Sequence, residues 1–255
     1  MTDVSDLHTS LTFVELTTVH YSAEDPYGLL NAYITLTPLI IAVGAITLFV
    51  FRRDLRTAAV FGGLVLSESL NYVLKKSIKE HRPAFFSMYY PYTSLNRYYV
   101  EMLSYLFLQY NININDELRK QSYGMPSSHS QFMFFFATLM TLFLIRRRIK
   151  ICQYLRSVII IFLYFLAIMV AYSRYHLYYH TAKQVIFGSI VGMILAPIYF
   201  CLVEFIFVPH IFPLLINSSI GRYFYLRDTS SIENLMEFEY NNAMRETQKK
   251  TKKTK

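Results

Sequence analysis

The sequence predicts an all-α membrane protein, a polytopic helical bundle of about five to six spans, and three observations support this fold class. First, the chain of 255 residues is 54% hydrophobic and only 16% charged, which is too apolar for an average soluble domain. Second, its apolar runs approach the roughly 20 residues that a helix needs to cross the hydrocarbon core. Third, basic residues gather in short segments beside these runs, as they do in the cytosolic turns of membrane proteins.

The first span is predicted at residues 33–51, and the charges around it predict the orientation of the chain. Arg52, Arg53 and Arg56 follow this span, whereas residues 1–32 contain no Lys or Arg. The positive-inside rule therefore places the N-terminal segment 1–32 outside the cytosol and the turn after residue 51 inside it. The remaining spans are predicted at about 57–74, 127–145 and 158–171, with a last one from about residue 184.

Residues 184–216 contain three prolines and predict one long, kinked span followed by an interfacial stretch, because two crossings with a turn between them need more residues. This span completes a membrane domain at 33–216 and places the tail, residues 217–255, in the cytosol. An additional crossing would reverse the tail. The final residues Lys252-Lys253-Thr254-Lys255 resemble a dilysine signal for retrieval to the endoplasmic reticulum, and the alternative is a basic tail that lies on anionic lipid.

On this topology three polar segments share the non-cytosolic face of the membrane. They are Lys75–Pro83, Tyr123–Gln131 and Ser173–Gln184. A Tyr- and Asn-rich loop, residues 84–125, lies on the same side. Its apolar part, residues 98–110, is too short to span a bilayer, and the sequence leaves open whether it is an interfacial helix or a loop packed over the polar segments.

The three polar segments carry cations that predict an anion site. Lys75, Arg82 and Arg174 have few carboxylates near them in the sequence, and guanidinium forks match phosphate oxygens well. Any one of these cations taken alone is better explained by snorkelling to lipid headgroups. Glu68 and Asn71 fall on the helical face of Lys75 and are expected to brace it, unless Glu68 merely pairs with another cation at the helix end.

The segment around Pro126 predicts a helix start that faces this anion site. Ser127 and Ser128 follow Pro126, and the free N–H groups and the dipole of a helix N-terminus attract anions. His129 and His180 are the candidates for chemistry, because a phosphate hydrolysis in two steps needs one imidazole as nucleophile and another as acid. His176 and His180 are four residues apart but have no carboxylate near them, so no metal site is predicted.

At these residues the chain resembles the type 2 phosphatidic acid phosphatase superfamily. Its three motifs are Lys-x6-Arg-Pro, Pro-Ser-Gly-His and Ser-Arg-x5-His-x3-Asp, which correspond here to Lys75–Pro83, Pro126–His129 and Ser173–Gln184. Residues 124–132, with Tyr179-His180-Thr181 and the tail segments 227–230 and 238–240, resemble the dolichyldiphosphatase branch of that superfamily.

This resemblance implies that the chain hydrolyses dolichyl diphosphate to dolichyl phosphate on the lumenal face of the endoplasmic reticulum. It implies that His180 is the nucleophile, that His129 is the acid, and that no metal or other cofactor takes part. The residues implied to hold the phosphate are Lys75, Arg82, Ser127, Ser128 and Arg174. The partners implied are a dolichyl or polyprenyl diphosphate lipid and the surrounding membrane lipids, with no nucleic acid.

Two positions depart from the motifs. Ser128 stands in place of Gly, and Gln184 stands in place of the Asp expected four residues after the nucleophile. A neutral amide can orient an imidazole but cannot stabilise an imidazolium by charge, so Gln184 is interpreted as an orienting residue. The sequence also leaves open a phosphatase for phosphatidate or a sphingoid phosphate, a phosphotransferase, and a lipid-binding membrane protein without catalysis.

Overall fold

A computed structural model describes residues 11–14, 19–22, 25–83, 123–146, 153–229, 231–232 and 234–253. Three predictions fall largely on residues outside these ranges. They concern the first ten residues, most of the loop 84–125 with its interfacial segment, and the side chains of the dilysine signal.

The described part of the chain contains five helical segments that are long and apolar enough to cross a membrane, and this confirms the predicted all-α bundle. They are Gly28–Arg52, Leu55–Ile78, Ser128–Arg146, Gln153–His176 and Ala182–Asn217. The helices within them are α1 (Gly28–Ile34), α2 (Thr37–Arg52), α3 (Leu55–Ile78), α4 (Ser128–Arg146), α5 (Gln153–His176) and α6 (Ala182–Leu202). A short antiparallel hairpin that was not predicted, β1 (Leu11–Val14) with β2 (Val19–Ser22), precedes them.

Local signals explain where the helices near the site begin and end. The Asp54 side chain caps α3 by accepting a hydrogen bond from the Thr57 N–H, and Lys79 ends α3 in a left-handed conformation with φ of 53°. At α6 the side chain of Thr181 accepts from the N–H of Gln184, and the Gln184 side chain accepts from the N–H of Thr181. This capping box fixes the chain just after His180.

The core of the bundle is the contact between α4 and α6, which is the most extensive contact between helices in the described structure. Two glycines one helical turn apart make it possible. A Cβ added at Gly188 would lie 2.6 Å from the Ser127 carbonyl oxygen, and one added at Gly192 would overlap the Gln131 carbonyl oxygen. Small residues at this spacing let helix backbones approach closely in a membrane.

The last span is one continuous helical run, in agreement with the single kinked span predicted from its prolines. Helix α6 contains Pro197 and continues into a π-helical stretch, Val203–Ile211, which contains Pro209. Proline removes a backbone donor, and π-type turns accommodate the resulting bend. Three further helices complete the described chain: α7 (Phe212–Asn217), α8 (Ser219–Tyr223) and α9 (Leu235–Lys253).

The tail returns to the turn between α2 and α3. The Arg227 N–H donates to the Arg53 carbonyl, and the Leu55 N–H donates to the Arg227 carbonyl, each over 3.0 Å. The Thr229 hydroxyl donates to the Asp54 carboxylate over 2.8 Å. The first part of the tail therefore lies at the end of the bundle that carries the Arg52 turn. This contact was not predicted, although residue 227 belongs to a segment that carried the family resemblance.

Gly192→Ala is expected to destabilise the bundle by about 1–3 kcal/mol, because the new methyl group must separate the α4 and α6 backbones. Thermal unfolding in detergent, followed by far-UV circular dichroism, measures the effect. Gly44→Ala is the matched control, since a Cβ at Gly44 has no heavy atom within 4 Å. Equal melting temperatures for the two variants would contradict the close approach.

Candidate active site

The three predicted polar segments meet at one end of the bundle, and backbone hydrogen bonds join them. The Gly124 N–H donates to the Glu80 carbonyl over 2.7 Å, which connects the first segment to the second. The Ser127 N–H donates to the Gln184 carbonyl over 3.1 Å, which connects the second segment to the third. The site is therefore built from the C-terminal ends of α3 and α5 and the N-terminal ends of α4 and α6.

His180 lies in the short connection between α5 and α6 and is almost completely buried, with 2% of its surface exposed. The N–H groups of Tyr179 and His180 both donate to the Arg174 carbonyl, which folds this connection back over the last turn of α5. The His180 Nδ1 lies 3.2 Å from the Gln184 side-chain oxygen. The predicted orienting contact between Gln184 and His180 is thus present.

Three cations surround the candidate histidines. Burial lowers the pKa of the His180 imidazole well below its usual value, and nearby positive charges lower it further. Those charges belong to Arg174, Arg82 and Lys75, and the same three cations act on His129. The structure therefore gathers both histidines and all three predicted cations into one electrostatic site, in which His180 is a neutral imidazole at neutral pH.

The guanidinium group of Arg174 is held in place by an aromatic ring as well as by its helix. Its central carbon lies 3.8 Å from the centroid of the Tyr179 ring, and only 5% of the Arg174 surface is exposed. A cation at this distance from a ring face is stabilised by the ring quadrupole. This stacking fixes the position of the Arg174 charge. The contact between Tyr179 and Arg174 was not predicted from the sequence.

The start of α4 contributes serine side chains and helix N–H groups. Ser128 and His129 are half-buried, whereas Ser127 is fully buried and its hydroxyl accepts from the Ser130 hydroxyl over 3.1 Å. The N–H of Ser127 is used by the Gln184 carbonyl, so it is not one of the N–H groups that this helix start can offer to an anion. Those N–H groups belong to the first turn, which begins at Ser128.

A buried polar network between α3 and α4 supports this helix start, and it was not predicted from the sequence. The Asn71 side-chain nitrogen donates to the Gln131 side-chain oxygen over 2.9 Å and to the Pro126 carbonyl over 3.4 Å. The Gln131 side-chain nitrogen in turn donates to the Ser67 carbonyl over 2.7 Å. Polar side chains at membrane depth need hydrogen-bond partners inside the protein. This rule could have predicted that Asn71 and Gln131 bond to each other or to other buried groups.

Asn71 and Glu68 were both expected to brace Lys75, and Asn71 has other partners. The side-chain nitrogen of Asn71 is used by Gln131 and Pro126 instead. Glu68 does interact electrostatically with Lys75. Asn71 therefore joins α3 to α4 rather than holding the lysine.

His176 and His180 have separate partners. The His176 Nε2 lies 2.7 Å from the Asp25 carboxylate, which ties the segment before α1 to the end of α5. The described residues contain no group of three or more His, Cys, Asp or Glu side chains placed to hold a metal ion.

Comparisons with known proteins show the family of the chain. The sequence matches the PAP2 superfamily over residues 56–207. Dolichyldiphosphatase 1 of Dictyostelium discoideum is 55% identical over 240 residues, which cover 94% of this chain and 92% of that protein. Dolichyldiphosphatase 1 of Homo sapiens is 35% identical over 246 residues, which cover 94% of this chain and 91% of that protein. Lipid phosphate phosphatase gamma of Arabidopsis thaliana is 35% identical over 233 residues, 90% of each chain. No solved structure matches the chain.

With these matches, the fold and the site place the chain among the integral-membrane lipid phosphatases. It belongs to the PAP2 superfamily, whose matched region runs from the start of the second span into the last one. The resemblance inferred from the three motifs is confirmed, as is the resemblance to the dolichyldiphosphatase branch.

Asn71→Ala is expected to cost about 1–3 kcal/mol of stability, because it leaves the Gln131 side-chain oxygen and the Pro126 carbonyl buried without this donor. Thermal unfolding in detergent measures the loss. Ser69→Ala on the same helix is the control, since the exposed Ser69 hydroxyl bonds only a carbonyl of its own helix, that of Val65. A change of less than about 0.5 kcal/mol for Asn71→Ala would contradict a structural role for the network.

Proposed function

We propose that this protein hydrolyses dolichyl diphosphate to dolichyl phosphate and inorganic phosphate. The substrate follows from the names of its relatives in Dictyostelium and human, both dolichyldiphosphatases that align along almost the whole chain. The reaction takes place at the lumenal face of the endoplasmic reticulum and recycles the lipid carrier used in protein N-glycosylation. The proposal rests on one observation above all: a neutral, buried His180, oriented by Gln184, lies within a cluster of three cations.

The first step transfers the terminal phosphoryl group to His180. The Nδ1 of this ring is engaged by Gln184, so the lone pair of Nε2 attacks the terminal phosphorus. The bond between that phosphorus and the bridging oxygen breaks, and the electron pair leaves on the oxygen of dolichyl phosphate. The negative charge of the bound diphosphate keeps His129 protonated, and His129 donates this proton to the oxygen, which yields a phosphohistidine and the free lipid product.

The second step releases phosphate. His129, now neutral, accepts a proton from a water molecule as the water oxygen attacks the phosphohistidine. The bond between phosphorus and the His180 Nε2 breaks, the electron pair returns to the ring, and His129 is protonated again. Both imidazoles return to their starting states, and the water supplies all the atoms that the products gain. We expect no metal ion in this cycle, because two imidazoles and fixed cations supply its acid, nucleophile and charge.

The cations carry the binding of the diphosphate and the stabilisation of the transition state. Lys75, Arg82 and Arg174 balance the charge on the phosphoryl oxygens, and preorganised cations in a site with little water are worth far more than in bulk water. The Ser128 hydroxyl and the N–H groups of the first turn of α4 contact the same oxygens. Ser127 is proposed to contribute from the floor of the site, where its hydroxyl is buried against Ser130.

The orientation proposed for the chain follows from its charges. Arg52, Arg56 and Arg146 lie at the end of the bundle opposite the site, and the positive-inside rule assigns that end to the cytosol. Residues 217–255 then form a cytosolic tail, since Arg227 is bonded to the turn after Arg52. The segment 1–32, the site and the loop 84–125 face the lumen, and the membrane domain extends over residues 33–216.

His180→Ala is expected to abolish phosphate release, with a loss of more than about 10⁴-fold in kcat, because no nucleophile remains. His129→Ala is expected to cost about 10²–10⁴-fold, the usual value for a general acid. The rate of phosphate release from polyprenyl diphosphate in detergent measures both effects. His210→Ala, remote from the three motifs in the last span, is the matched control for removing an imidazole. Near-normal activity of either active-site variant in a folded protein would contradict the mechanism.

The substrate class is tested with purified protein and a panel of polyprenyl diphosphate, polyprenyl phosphate, phosphatidate and sphingosine phosphate. We expect the highest kcat/KM for polyprenyl diphosphate and no change when EDTA is added. Faster hydrolysis of phosphatidate would favour the activity named for the Arabidopsis relative, a lipid phosphate phosphatase. Loss of activity with EDTA that is restored by a divalent cation would contradict the mechanism without metal.

A further inference from the structure

We infer that Glu80 is a positioning residue for the reaction: its carboxylate acts through the amide of Gln184 to orient the His180 ring and to support positive charge on it. The inference rests on the proposed role of His180 as nucleophile. Glu80 lies outside the three residues that define the first motif, and it was not among the predicted site residues. Within the described residues, the Glu80 side chain is connected to the site through its hydrogen bond with Gln184.

The orientation of the Gln184 amide is set by groups whose hydrogen-bonding roles are fixed. Its oxygen accepts from the backbone N–H of Thr181 over 3.3 Å, and an N–H can only donate. Its nitrogen donates to the backbone carbonyl of His81 over 2.8 Å, and a carbonyl can only accept. The same nitrogen donates to the Glu80 carboxylate over 3.2 Å. A flipped amide would place like groups together at all three contacts.

This orientation determines the state of the His180 ring. The Gln184 oxygen faces Nδ1 at 3.2 Å, and an amide oxygen can only accept, so Nδ1 must carry the proton of the neutral ring. Nε2 then holds the lone pair that attacks phosphorus. The opposite tautomer would place two lone pairs against each other.

The Glu80 carboxylate is ionised and held at this place. Its hydrogen bond with Lys183 lowers its pKa most strongly, burial opposes this effect, and the hydrogen bond with Gln184 lowers the pKa further. Lys183 lies on the solvent side of the carboxylate, with its nitrogen 2.9 Å from one oxygen, while Gln184 contacts the other oxygen. The backbone carbonyl of Glu80 also accepts from Gly124, which ties the residue to the segment before α4.

Hydrogen bonds in a chain polarise one another, particularly where little water is present. The negative charge of Glu80 draws the Gln184 N–H groups towards it and so makes the Gln184 oxygen a stronger acceptor for the Nδ1 proton. The ring of His180 becomes positively charged when it is phosphorylated at Nε2. A carboxylate one amide away therefore supplies charge that a neutral Gln184 cannot supply alone.

The absence of a side chain at Gly124 makes room for the Gln184 amide. A Cβ added at Gly124 would lie 2.6 Å from the Gln184 side-chain oxygen and 2.8 Å from its nitrogen. Gly124 therefore lets the amide lie directly between Glu80 and His180. Gln184 itself is completely buried, whereas the Glu80 side chain is 30% exposed and meets solvent on the side of Lys183.

Glu80→Gln keeps the size of the side chain and an acceptor oxygen but removes the charge. We expect kcat to fall by about tenfold, a usual loss for a residue that orients an active-site group, with KM within twofold because Glu80 does not contact the phosphate. Lys183→Met is the matched control, since it removes the other partner of the same carboxylate and leaves Gln184 in place. We expect kcat for Lys183→Met to stay within twofold of the wild-type value.

Exchanging the Glu80 carboxylate and the Gln184 amide distinguishes an effect of the Glu80 charge on His180 from a purely structural role of Glu80. Gln184→Glu places a second carboxylate against Glu80 and is expected to lower kcat strongly. Adding Glu80→Gln to that variant restores one carboxylate and one amide in exchanged positions. The same Glu80→Gln substitution that slows the wild-type protein is therefore expected to speed up the Gln184→Glu variant. Equal losses in Glu80→Gln and Lys183→Met, or a further loss in the double variant, would overturn the inference.

A second measurement does not depend on the substrate. In ¹⁵N-histidine-labelled protein in detergent, we expect His180, assigned by comparison with His180→Asn, to be protonated at Nδ1. The Nδ1 proton signal is expected to move upfield in Glu80→Gln and to stay in place in Lys183→Met. Protonation at Nε2 in the wild-type protein, or an unchanged signal in Glu80→Gln, would overturn the inference. Failure of the wild-type protein to hydrolyse polyprenyl diphosphate would instead overturn the proposed function.

Discussion

The close approach of α4 and α6 is the constraint on which the site depends. Gly188 and Gly192 let the α6 backbone lie against the backbone of the first turns of α4. Because of this contact, the Ser127 N–H reaches the Gln184 carbonyl, and the helix that begins with Ser128 and His129 starts beside the residue that holds His180. Larger residues at the two glycines would move the proposed acid and nucleophile apart, since His129 lies on α4 and His180 lies in the connection that leads into α6. The distance between α4 and α6 thus sets the distance between the proposed acid and the proposed nucleophile.

A second requirement acts in the same region: polar groups at membrane depth must find partners within the protein. Asn71, Gln131 and Ser67 satisfy one another and also bond the carbonyl of Pro126. This network joins α3, which carries Lys75, to the helix start that carries His129. These polar residues therefore fix α3, with Lys75, relative to α4, with His129. Their hydrogen bonds are directional, whereas apolar packing alone is not.

The sequence predicted the fold and the meeting of the motifs because both depend on local features. Apolar length and basic turns predict spans, and each motif residue lies at a helix end, so the order of crossings brings Lys75, His129 and His180 to one side. The bond between His180 and Gln184 was also predictable, since the two residues are four apart. The pairing of Asn71 with Gln131 was not, because it joins residues 60 apart and no spacing rule relates them. The contact of Glu80 with Gln184 was not predicted for the same reason: Glu80 follows α3, whereas Gln184 lies on α6.

The hydrogen bonds that fix the tail to the turn at Asp54 have a mechanical consequence. Helix α3 begins at this turn and carries Lys75 near its other end, so it acts as a rigid lever of about 30 Å between the two. A tilt of about 3° at the Asp54 end would move the lysine by roughly 1.5 Å, a displacement large enough to cost an enzyme about a hundredfold in rate. Arg227 and Thr229, at the end of the bundle opposite the proposed site, therefore help to fix the position of Lys75.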